Sequence, residues 1–209
     1  MIKAVLFDMD GVLIDAKEWH YQALNKALAI FGLVISRSDH LGTFDGLPTR
    51  EKLRLLEKNF YLPRELHPLI NQLKQAYTND FIQINCVPFY RHQFVLSRLQ
   101  RDGFKLAVCS NSIRSTVDMM LAKAAISHYF DLTLSNEDVV NAKPAPDIYL
   151  KAIQIFGVLP SECLVIEDND HGIEAAEKAG AHVLAVASPE EVEYSSIYRK
   201  IKTIEEASL

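Results

Sequence analysis

The chain has 209 residues, 49% hydrophobic and 23% charged, enough for one domain of ordinary size plus an appendage, and this composition excludes disorder over most of the length. Its formal charge of −5 leaves no basic face for the phosphate contacts that dominate nucleic-acid binding, so no nucleic-acid partner is expected. Cys86, Cys109 and Cys163 are odd in number and widely spaced, which fits neither a disulfide framework nor a C-x-x-C zinc site and reads as reduced thiols in a cytoplasmic protein.

In chain order, residues 3–7 (KAVLF) form the first short apolar run, cut at once by Asp8 and Asp10. The run has no basic flank and no cleavage site, so it does not read as a signal peptide, and no stretch reaches the ~18 apolar residues of a membrane span. Residues 17–31, 49–59 and 63–79 carry helical patterns, with a turn-like "FDGLPT" between the first two. Strand-like runs follow at 104–109, 131–134, 163–166 and 182–187, interleaved with amphipathic segments at 114–126, 147–156 and 171–179. That alternation predicts an α/β fold, a doubly wound parallel-sheet (Rossmann-like) core. About 70 helical residues after the first strand are too many for a loop and predict an inserted small α-helical cap domain. The expected boundaries are residues 1–15 and 87–209 for the core and 16–86 for the cap. The stretch from Pro189 onward reads either as a final helix or as a frayed end.

In an open parallel sheet, ligands bind beyond the carboxyl ends of the strands. Polar residues that follow apolar runs should therefore meet there: Asp8 and Asp10 after "AVLF", Ser110 and Asn111 after "LAVC", and Glu167 and Asp168 after "CLVI". Lys143, before Pro144, enters the helix after the third strand. Four carboxylates in one partly desolvated place repel one another, and a hard divalent cation with oxygen ligands relieves the conflict. Magnesium suits this best, because it takes few carboxylates and completes its shell from water and a substrate phosphate. Each group has a plainer reading alone: Ser110 and Asn111 as a helix N-cap, Glu167 and Asp168 as capping acids, Lys143 as a surface lysine.

The motifs "DMDGV" (8–12), "SN" (110–111), "KPAPDIY" (143–149) and "EDNDHGI" (167–173) together resemble the haloacid dehalogenase superfamily, in its phosphatase and phosphomutase branch. The resemblance implies Asp8 as a nucleophile that forms an aspartyl-phosphate and Asp10 as general acid and then base. It implies Mg2+ held by Asp8, Asp168 and the main-chain oxygen of Asp10, with Glu167 a direct or water-mediated ligand. Ser110, Asn111 and Lys143 would bind the transferring phosphoryl group. In the cap, His20 and Arg50 are the substrate-contact candidates, while Trp19, Tyr21, Leu24, Leu28 and Phe31 read as packing residues.

The implied function is a Mg2+-dependent phosphatase for a small phosphorylated metabolite, foremost a sugar phosphate, with the cap closing over the site. A β-phosphoglucomutase-type hexose-phosphate mutase is the alternative. Ala16 and Asp45 speak against it, since those mutases tend to carry a threonine and a lysine there. A non-catalytic binding protein on the same fold comes third. Haloacid dehalogenation is disfavoured because it would leave Asp10 and Asp168 idle. No membrane or obligate protein partner is expected.

Overall fold

The computed structural model describes residues 1–207. The chain divides into two compact units, one of Met1–Asp15 with Val87–Leu209 and the other of Ala16–Cys86.

The first unit begins with β1 (Ala4–Phe7), whose four apolar residues are wholly excluded from solvent. A strand apolar on both faces is stable only where both faces are covered, which places it inside a parallel sheet. The chain then enters the second unit, made of α1 (Lys17–Ala29), the single turn α2 (Arg37–Asp39), a π-helical turn (His40–Phe44), α3 (Thr49–Phe60) and α4 (His67–Asn85). Leu24 and Leu28 of α1 pack with Phe44, Leu53, Leu56 and Ile70 as that unit's own core.

Back in the first unit run α5 (Tyr90–Arg101), β2 (Lys105–Cys109), α6 (Arg114–Lys123), β3 (Leu132–Leu134) and α7 (Asp147–Phe156). They are followed by β4 (Cys163–Glu167), α8 (Asp170–Lys178), β5 (His182–Ala185) and α9 (Tyr194–Glu206). The five strands are parallel in the order β3-β2-β1-β4-β5. Strand order reverses between β1 and β4, so the crevice at their carboxyl ends is the natural ligand position. Phe7 pairs with Val108 on one side and Ile166 on the other, so Asp8, Cys109 and Glu167 come next at the same sheet edge.

The α/β doubly wound core matches the sequence reading. The details differ in places. The segment expected as one helix over 63–79 is a 3-10 turn, Arg64–Leu66, followed by α4, which continues to Asn85 because Ile82 stays buried on its inner face. The helix expected over 114–126 stops at Lys123, and Ala125 takes a positive φ of 55°. α5 has no counterpart in the sequence reading. The tail forms α9, anchored by buried Ile197 and Ile201 one helical turn apart, rather than fraying, while residues 208–209 of that stretch lie outside the described residues.

Candidate active site

β1 delivers Asp8 to the sheet edge, where its backbone N–H donates to the Ile166 carbonyl at 3.0 Å and continues the pairing of β1 with β4. The chain then doubles back: the N–H groups of Leu13 and Ile14 both donate to the Met9 carbonyl at 2.9 Å, and Gly11 N–H donates to Ile14 O at 2.7 Å. This turn needs Gly11 at φ 94°, a conformation open to a residue without a Cβ.

Lys143 reaches the same edge and is 4% exposed. Its ammonium donates to Asp8 Oδ1 at 2.6 Å and to Glu167 Oε1 at 2.7 Å. The plain reading of Lys143 as a surface lysine is thereby set aside. Glu167, the last residue of β4, is buried and saturated: Oε1 also accepts from the Tyr149 hydroxyl at 2.7 Å, and Oε2 accepts from the N–H groups of Asp168 and Asn169 at 3.0 and 3.4 Å. It does not cap α8, which is capped by the Asn169 side chain accepting from His171 N–H. Oxygens of Asp8, Glu167 and Asp168 lie within 4.8 Å of one another.

Burial, above all, pushes the Asp8 carboxyl well above the usual range; Lys143 pulls it back, and Glu167, Asp168 and Asp10 push it up again. Burial alone would lower the Lys143 ammonium, yet the charges of Asp8 and Glu167 overcome it and hold the group charged. Lys143 thus answers Asp8 and Glu167 directly, while Asp168 and Asp10 add negative charge around Asp8. An all-oxygen donor set in that electrostatic state fits a hard divalent cation.

On the far side of Asp8, Ser110 is completely buried, and its N–H is committed to Leu134 O at 3.0 Å. Its Oγ accepts from Ser112 N–H at 3.0 Å. Ser110 and Asn111 do not cap α6, whose N-cap is Ile113. The Asn111 amide is occupied with the backbone of Lys143, accepting its N–H at 3.1 Å and donating to its carbonyl at 3.4 Å. It therefore works as a bracket that places Lys143. Two residues escaped the sequence reading: Tyr149, the last letter of "KPAPDIY", and Ser112, whose hydroxyl donates to Asp10 Oδ2 at 2.8 Å.

His20 and Arg50 belong to the second unit. There His20 Nδ1 lies 3.1 Å from the ammonium of the buried Lys74. Arg50 is mostly exposed and approaches Glu51 at 3.3 Å. Asp45 lies 3.8 Å from His40 and 3.9 Å from Lys17. The cysteines are free and buried. Among the described residues no helix is long and apolar enough to cross a membrane.

The family model described as "Haloacid dehalogenase-like hydrolase" matches residues 5–186. A phosphoglycolate phosphatase of Aquifex aeolicus is 31% identical over 179 residues, covering 86% of this chain and 82% of that protein. The fructose-1-phosphate phosphatase YqaB of Escherichia coli is 31% identical over 183 residues, with coverage of 87% and 95%. Among solved structures, a β-phosphoglucomutase from Clostridium difficile superposes with a TM-score of 0.84 at 25% identity, covering 97% of this chain and 98% of that one.

Proposed function

The chain belongs to the haloacid dehalogenase-like hydrolase family, and as an enzyme of that family's phosphatase branch we propose that it hydrolyses a small sugar phosphate through an aspartyl-phosphate on Asp8, with Mg2+. The observation that carries this reading is the grouping of Asp8, Glu167 and Asp168 within 4.8 Å, with the Lys143 ammonium bonded to Asp8. A nucleophilic carboxylate needs its charge held but not quenched, and a lysine shared between two acids does that.

In the first half-reaction Asp8 attacks phosphorus, the Asp8–phosphorus bond forms as the ester bond to the leaving oxygen breaks, and Asp10 gives that oxygen a proton. In the second, water attacks the same phosphorus, Asp10 takes the water's proton, and the bond to Asp8 breaks to release inorganic phosphate. Lys143 and the Ser110 hydroxyl supply positive charge and a hydrogen bond to the phosphoryl oxygens. Asn111 contributes by placing Lys143.

Asp8, Asp168 and the main-chain oxygen of Asp10 would hold the magnesium ion, and Glu167, with both oxygens already engaged, would act on it at one remove. Bound there, the ion neutralises charge on the nucleophile and the phosphate. His20 and Arg50, in the helical unit, are proposed to read the leaving group.

The mutase alternative is not favoured, since relatives at 31% identity carry phosphatase names. A panel of phosphorylated metabolites assayed with Mg2+ and with chelator tests the proposal. Release of inorganic phosphate from sugar phosphates, lost with chelator and in Asp8→Asn, is the expected result. Correctly folded protein inert across the panel, or interconversion of glucose 1- and 6-phosphates in place of hydrolysis, would overturn it.

A further inference from the structure

We propose that Ser112 is a positioning residue for Asp10, holding its carboxylate in the orientation that proton transfer requires; the inference rests on Asp10 being the acid and base of the phosphatase proposed above.

The backbone of Ser112 is fixed from two directions. Its N–H donates to Ser110 Oγ at 3.0 Å, and its carbonyl accepts the N–H of Asn136 at 3.1 Å. Asn136 also donates from its side chain to the Asn111 carbonyl at 2.8 Å, so the 110–112 loop is clamped onto the segment after β3. That segment is rigid in turn: Arg114 donates to Thr133 O at 2.9 Å and pairs with Asp138, while Asp138 accepts from the Ser135 N–H and hydroxyl at 2.7 and 2.8 Å. The Ser112 hydroxyl therefore projects from a framed backbone.

Asp10 lies across from that loop, its backbone held by the turn at Met9, Gly11 and Ile14. The hydrogen bond from Ser112 at 2.8 Å reaches across 102 residues of sequence to tie Oδ2 to the framed loop. A carboxyl group transfers its proton well only within hydrogen-bond reach and correct alignment of the leaving oxygen, and small misplacement is costly. A hydroxyl that restrains one carboxylate oxygen restricts rotation of the whole group. Ser112 thus acts through Asp10.

The test compares kcat/KM, which reports steps up to departure of the leaving group, on two esters. One is 4-nitrophenyl phosphate, whose phenolate leaves without a proton; the other is the sugar phosphate of the panel that turns over fastest, whose alkoxide does not. Ser112→Ala is expected to lose about tenfold on the sugar phosphate and less than about twofold on the aryl ester. Ser112→Thr should restore the sugar-phosphate value to within about threefold, and the near-isosteric Ser112→Val should not. An equal loss on both esters, or no loss on either, overturns the inference. So does equal activity of the Thr and Val variants, a pair that remains informative if the Ala variant folds poorly.

Asp10→Asn separates this failure from failure of the underlying reading. If Asp10→Asn spares the sugar phosphate, the acid assignment falls and takes this inference with it. If Asp10→Asn abolishes sugar-phosphate turnover while Ser112→Ala does not lower it, only the role of Ser112 falls.

Discussion

At the scale of single residues, the site depends on how completely Glu167 is held. Lys143 and Tyr149 occupy one carboxylate oxygen and two backbone N–H groups the other, and the helix behind it leaves no slack. A Cβ added to Gly172 would come within 1.8 Å of Glu167 Oε1. A flexible surface acid would swing away, but Glu167 is 1% exposed and cannot move without breaking the lysine contact that holds Asp8. Gly172→Ala is therefore expected to cost about 2 kcal/mol of stability, an ordinary overpacking penalty, and at least about tenfold in turnover. Urea unfolding and steady-state kinetics check both, and unchanged values in the two would refute this view of Glu167. Tyr149 illustrates why such residues are hard to find in a sequence. It sits in the first turn of α7 on an apolar face, where an aromatic reads as core packing, and its hydroxyl finds its partner only once β4 is in place.

At the scale of elements, patterning exposed most of the first unit. Asp8 and Asp10 stood out because acids interrupt a run otherwise excluded from water, and Lys143 because it precedes "PAPDIY" at the entry to a helix. α5 did not stand out: its buried face mixes His92 with Val95, Leu96 and Leu99, and three arginines dilute its apolar periodicity. Ser112 was hidden for another reason, since its bond to Asp10 depends on strands β1 and β2 lying side by side, which local pattern does not encode. In the helical unit, the π-helical turn His40–Phe44 leads into the turn-like "FDGLPT" (44–49) and has no counterpart in the sequence reading. It buries His40 to 3% exposure, its ring packed at a tilt of 33° against Tyr21 with 4.6 Å between ring centres. Burial first, and then the Lys52 charge, lower His40 from 6.5 to about 4, against the opposing pull of Asp45. Between those two pH values the unfolded chain binds a proton that the folded chain does not, so this contribution is fully present above pH 6.5 and is lost as pH falls toward 4. The loss reaches about 3 kcal/mol when complete. His40→Phe keeps a ring against Tyr21 and removes the titration. Urea unfolding between pH 7 and about 4.5 should show the wild type losing about 2 to 3 kcal/mol more than the variant. Parallel losses would show that His40 does not titrate as described.

At the scale of the whole molecule, the sheet order accounts for where the chemistry lies. Because β1 is flanked by β2 and β4, the loops that end these three strands converge, and residues as far apart in the chain as Asp8 and Lys143 meet only when the sheet is complete. The acids at the end of a buried strand are tolerable there because a buried lysine shares the charge of Asp8 and Glu167, and costly anywhere else. The central claim is the proposal that Asp8, so placed, is a nucleophile rather than a structural anion. Acid quenching of the protein during turnover of a sugar phosphate, followed by peptide mass mapping, tests it most directly. The account predicts a phosphoryl group on the peptide that carries Asp8, absent from Asp8→Asn and absent when substrate is omitted. Undiminished hydrolysis by Asp8→Asn, with no phosphoryl adduct on that peptide in the wild type, would contradict it.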